Sequence, residues 1–120
     1  MSSSGSRPVR YLALIYLKPG QRERLRHYES QVLPVFRRHG GAFERIWSPV
    51  PADGSGAPDP EAEAPDEIHL LRFETAAGLE AVRRDPEMQA LVPLRQQVVR
   101  KALLLRIEDV PLGTYFSSRA

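Results

Sequence analysis

Apolar and polar positions along the chain change period several times, and each change marks an element. Val9 to Leu17, VRYLALIYL, is apolar at nearly every position, short, and rich in β-branched, aromatic and leucine residues. That pattern predicts a central β-strand, which Lys18-Pro19-Gly20 then breaks. From Gln21 to His39 the period becomes helical. Leu25, Tyr28, Val32, Val35/Phe36 and His39 fall on one stripe, and Arg22, Glu23, Arg24 and Arg26 lie mostly off it. Pro34 sits inside this helix and removes one backbone donor, so a kink or a separated last turn is expected there. Gly40-Gly41 ends it, because glycine takes the left-handed C-terminal conformation cheaply.

Ala42 to Val50 alternates as a second strand, with Phe43, Arg45 and Trp47 on one face and Pro49 marking an edge or an end. Glu67 to Glu74 reads as a third strand. Thr75 is placed to cap a short helix to about Arg84, and Asp85-Pro86 to start another, with Met88, Leu91 and Val92 inward and Pro93 bending or ending it. Val98 to Asp109 is the fourth strand. The order βαββαβ, with its second helix broken in two, predicts an α+β ferredoxin-like fold: a four-stranded antiparallel sheet with helices on one face. The expected organisation is a disordered tail over 1–8, one domain over 9–109 and a C-terminal tail over 110–120. Within the domain, 51–65 is a mobile acidic loop, long for a compact fold.

The strands are too apolar for a half-solvated sheet. Leu12, Leu14 and Tyr16 line one face of the first strand, and Tyr11, Ala13 and Ile15 line the other. The fourth strand sets Leu103 and Leu105 against Ala102 and Leu104. A sheet with one wet face alternates apolar with polar residues, and a bare apolar face exceeds what monomers expose. A second copy packed sheet to sheet resolves both conflicts, so a homodimer is expected.

Composition sharpens this picture by exclusion. The chain has 120 residues, a single-domain length. It contains no cysteine, which removes disulfides, thiol catalysis and thiolate metal sites. No apolar run spans a bilayer, and the first residues lack a signal-peptide layout, so no membrane partner and a cytoplasmic location are expected. Residues 51–67 hold six acids and no base, which leaves nine of the fifteen acids against all seventeen bases in the remainder. Those bases are scattered without runs or aromatic interleaving, and no nucleic-acid partner is expected.

Two segments resemble a known group, VLPVFRRHGGAFER (Val32 to Arg45) and LLRFETAAGLEAVRRDPEMQALVPLR (Leu70 to Arg95). The first is similar to a helix end running through a Gly-Gly turn into a strand. The second is similar to a strand and short helix followed by an Asp-Pro-Glu element, here Asp85-Pro86-Glu87, Gln89, Leu91 and Arg95. Together they resemble the dimeric α+β barrel superfamily and, within it, small DUF1330-like proteins, over about residues 9–108. The acidic loop and the C-terminal tail depart from that pattern. The resemblance implies a two-subunit barrel. It also brings the superfamily's cofactor-independent monooxygenases, muconolactone-type isomerases and haem- and chlorite-degrading enzymes into view without selecting a reaction.

The chemistry legible in the chain is sparse. His27, His39 and His69 show no metal-ligand spacing, and there is no phosphate loop or serine nucleophile elbow. No metal and no cofactor are expected. His69, on an apolar strand, is the candidate general base; its alternative is a hydrogen-bonded core histidine or an interface residue. Arg72 is the candidate for binding a substrate carboxylate or enolate, or else it pairs with Glu44, Glu74 or Glu108. Residues three apart on a strand point to opposite faces, so His69 and Arg72 cannot form one pair within a subunit. Tyr11, Trp47, Tyr28 and Arg45 are weaker candidates for lining a small-molecule pocket, or are core and interface residues. Two functions follow. One is a cofactor-free monooxygenase or isomerase acting on a small aromatic or unsaturated carbonyl compound. The other is a non-catalytic dimer that binds a ligand or serves assembly.

Overall fold

A computed structural model describes residues 7–51 and 63–116. Its elements are β1 (Val9–Leu17), α1 (Arg22–Arg38), β2 (Gly41–Trp47), β3 (Glu67–Phe73), α2 (Gly78–Arg84), α3 (Pro86–Ala90), α4 (Val92–Val98), β4 (Val99–Ile107) and α5 (Leu112–Phe116). The four strands form one antiparallel sheet in the order β2-β3-β1-β4. The fold is α+β and ferredoxin-like, as the order of elements predicts.

Strand register sorts the side chains into two faces. Val9, Tyr11 and Ala13 of β1 stand level with Phe73, Leu71 and His69 of β3, and all six are buried. They meet Leu25, Tyr28, Val32, Val35 and Phe36 of α1, Val82 of α2 and Val98 of α4. Alternate positions look the other way. Leu12 and Leu14 sit beside Leu70 and Ile68 on β3 and beside Leu105 and Leu103 on β4. Leu103 and Leu105 are 43% and 49% exposed, because no helix lies over them.

Two glycines show why α1 hands over to β2 so tightly. Gly40 takes φ +77°, a conformation that side-chain-bearing residues rarely adopt. Gly41 lies against the Phe73 ring, where a Cβ would collide with ring carbons. Pro34 does not end α1, which runs on to Arg38.

The second helical region differs from its expected form. Thr75 is not a cap: α2 begins at Gly78 behind Ala77, with no side-chain capping bond. Asp85 does cap α3, accepting from the Glu87 backbone N–H at 2.9 Å, with Pro86 in the first turn. Pro93 opens a third piece, α4, which carries the chain through Val98; proline fits a first turn because the missing N–H has no helical partner there. Val92 is exposed, and Leu94 packs on the core beside Met88 and Leu91. Residues 112–116 of the expected tail form the short helix α5.

In β2 the register shifts between Phe43 and Arg45. Phe43 therefore faces the helices, stacked on Phe36 with centroids 5.0 Å apart, while Arg45 and Trp47 face away. The expected common face for all three fails because a bulge resets the alternation. The expected mobile loop falls largely on 52–62, outside the described residues. After it, Glu63 pairs with Arg100 at 2.8 Å and Asp66 accepts from the Leu17 backbone N–H at 2.7 Å. Among the described residues, no helix is long and apolar enough to cross a membrane.

Candidate functional site

Between the sheet and its helices lies a cavity of about 480 Å³. Its walls are mainly apolar, from Ala13 and Leu71 on the sheet to Val32, Phe36 and Met88 on the helices. This volume falls in the range of small-molecule sites. Few polar side chains reach it. His69 and Glu29 do so from the sheet and α1, and Tyr28, Arg83, Gln89 and Arg95 from the helical side.

His69 is buried and organises the sheet end. β3 places Glu67 two residues before it, hence on the same face, and α1 brings Glu29 over both. The imidazole Nε2 lies 2.9 Å from Glu67 Oε1 and 3.0 Å from Glu29 Oε2. The contacts are not equivalent. Only Glu67 meets hydrogen-bond geometry, and Glu29 Oε2, itself shielded from solvent, has no hydrogen-bond partner. Glu67 is fully buried, and its second oxygen meets Arg26 at 3.0 Å and Arg22 at 3.5 Å. Burial alone would lower the pKa of His69, but the adjoining Glu29 and Glu67 carboxylates outweigh it and raise the pKa above its ordinary value. With Nε2 directed to carboxylates, Nδ1 is the nitrogen left to meet a ligand.

The three donors lie within 4.8 Å of one another. Sequence spacing hid this convergence, since it joins α1 to β3. The donor types suit a divalent cation, but Arg26 and Arg22 already supply positive charge to Glu67. Glu67 is thus held in an ion-pair cluster, while Glu29 Oε2 keeps only its contact with His69.

Tyr28 joins His69 at the cavity; burial pushes its hydroxyl pKa up, with Arg95 beside it opposing and Glu29 adding to the rise. Tyr11 is on the helix-covered face but packs edge-on to Phe73, within the core. Arg72, Arg45 and Trp47 belong to the opposite face, with Ile68 and Leu70. They do not share a site with His69. Among the described residues Arg72 has no salt bridge, so the expected pair with Glu44, Glu74 or Glu108 is not formed; its cross-strand neighbours are Arg10 and Ala42. His39 serves structure: it and Arg38 each reach Asp85 at 2.8 Å, holding that carboxyl far below the usual range.

Glu29 and Glu67 are the members of this cluster that sequence reasoning missed. A signal was present for both. Glu29 follows Leu25 by four positions and precedes Val32 by three, so it lies on the apolar stripe. Glu67 shares the parity of His69, Leu71 and Phe73. An acid in either position must find a cation or a site.

No protein-family profile and no curated protein matches the chain. Solved structures do. The methylated RPA0582 protein of Rhodopseudomonas palustris, of unknown function, matches with TM-score 0.73 at 23% identity, over 90% of this chain and 84% of that one. A dabb family protein with a ferredoxin-like fold from Mesorhizobium loti matches with TM-score 0.59 at 13% identity, over 86% and 97%. A candidate antibiotic biosynthesis monooxygenase from Bacteroides thetaiotaomicron matches with TM-score 0.59 at 12% identity, over 87% and 90%. At these identities the likeness is one of fold.

Proposed function

We propose that the protein is a cofactor-independent enzyme of monooxygenase or isomerase type. It acts on a small aromatic or unsaturated carbonyl compound held in the cavity, with His69 as general base. One observation carries this reading: a ligand-sized apolar cavity receives a single imidazole, backed by two carboxylates. Glu67 holds the ring and favours its proton at Nε2, which leaves Nδ1 to take a proton from substrate. Both reaction types begin with that step. Proton loss from an acidic C–H or phenol gives an electron-rich enolate or phenolate. An isomerase returns the proton at a different carbon. A monooxygenase lets the anion donate electrons to dioxygen; one oxygen atom enters the product and the other leaves as water. The low-polarity walls suit either outcome, because they disfavour competing reactions with water.

The fold neighbours fit this reading, one being a candidate monooxygenase. The Asp85 to Arg95 element supports the finer DUF1330-like grouping at the level of pattern. The functional unit is a homodimer closed through the helix-free sheet face, where Leu103, Leu105 and Trp47 remain open. The decisive assay follows oxygen uptake and ultraviolet spectra over a panel of hydroquinones, anthrones and unsaturated lactones, with no cofactor added. Turnover that falls about 10²- to 10⁴-fold in His69→Ala supports the proposal. Binding of panel compounds in the cavity without turnover instead favours the non-catalytic ligand-binding dimer.

A further inference from the structure

The Asp85 to Arg95 element contains a residue whose place is not explained by folding. Asp85 caps α3 and takes Arg38 and His39. Gln89 donates to the Arg83 carbonyl at 2.8 Å, and Leu91 packs on the core. Arg95 does none of these. It is exposed and, like Arg37, Arg45 and Arg106, forms no salt bridge among the described residues; its place at the cavity sets it apart from them. It lines the cavity together with Tyr28, and its charge acts on the Tyr28 hydroxyl. Arg83 reaches the same rim and has only a 3.6 Å contact with Glu80.

We infer that Arg95 and Tyr28 form an anion-binding end of the cavity, and that its ligand is an aromatic or unsaturated carboxylate rather than a neutral carbonyl compound. Guanidinium and phenol hydroxyl together offer donors to both oxygens of a carboxylate, and the apolar walls take the carbon skeleton. The two carboxylates near His69 are partnered, although Glu29 also acts on the Tyr28 hydroxyl. Glu67 is matched by Arg26 and Arg22, and Glu29 lies against His69. The inference rests on the cavity reading above and narrows its substrate class.

The test uses N-phenyl-1-naphthylamine, a neutral fluorescent reporter, displaced by 1-naphthoate or by its methyl ester. Displacement by the acid at a concentration at least about tenfold lower than by the ester is expected, the scale of one charge-assisted contact. Arg95→Gln abolishes that preference, acid and ester then displacing the reporter at equal concentration. Tyr28→Phe reduces it by less, and Arg84→Gln, which removes the same charge away from the cavity, preserves it. Equal displacement by acid and ester in the wild-type protein overturns the anion site while leaving the cavity reading intact. Reporter binding that is absent, or that persists when Met88→Trp fills the cavity, overturns the cavity reading as well.

Discussion

The two faces of the sheet use the same residue types to opposite ends. On the helix-covered face, Phe73, Leu71 and Tyr11 are sealed in the core, and the charged groups beside them, Glu67 and His69, are fully or nearly buried and held by partners. On the open face, leucines of the edge strand are exposed: Leu103 and Leu105 of β4 share that face with Arg72 of β3 and with Arg45 and Trp47 of β2. Charge is hidden where it is compensated, and hydrocarbon is bare where nothing yet covers it. A buried carboxylate costs several kcal/mol unless it is paired, and Glu67 is paired with Arg26 and His69. A bare leucine patch costs less, but it favours any apolar surface that can cover it.

That contrast gives predictions of decreasing size. Phe73→Ala, on the covered face, destabilises by about 3–5 kcal/mol in urea denaturation. Leu105→Ala, on the open face, changes the stability of an isolated subunit by no more than about 0.5 kcal/mol. A larger loss at Leu105 that depends on protein concentration identifies that face as buried in an assembly. Next, Glu67→Gln costs about 1–3 kcal/mol by leaving His69 and Arg26 without their charged acceptor; a neutral result would mean that the cluster is not a structural element. For the proposed homodimer, the paired substitution Leu103→Glu with Leu105→Lys lowers the sedimentation mass from dimer to monomer while circular dichroism stays unchanged. An unchanged mass would remove this face as the interface.

The subtlest test is pH. The folded-state pKa of His69 lies above its unfolded value near 6.5. The native state therefore holds the proton more tightly. Its contribution to stability is complete below 6.5 and is lost as pH rises through the folded pKa. The stability difference between wild type and His69→Gln should shrink over that window. Under the proposed mechanism, in which the neutral ring is the base, activity runs the other way: kcat/KM rises across the same interval. A rate that falls with pH there would assign the protonated ring as the working form.

The sites were less legible than the fold for a physical reason. Periodicity reports the local burial of successive residues, and it placed all four strands and the stripe of α1. It also separated His69 from Arg72, because strand parity is local. It failed at Phe43 and Arg45, where one bulge residue inverts the alternation, and at Thr75 and Pro93, where several caps and breaks compete within twenty residues.

The chain by itself determined a ferredoxin-like order of elements, a sheet apolar on both faces, and a histidine on the third strand. Those are properties of neighbours in sequence. Only the tertiary structure decided which sheet face the helices cover, that Glu29 on α1 meets Glu67 and His69 on β3, and that Arg95 on α4 and Tyr28 on α1 line one cavity. These pairs come from different elements, and their meeting depends on how helices dock on a twisted sheet, which no local pattern encodes.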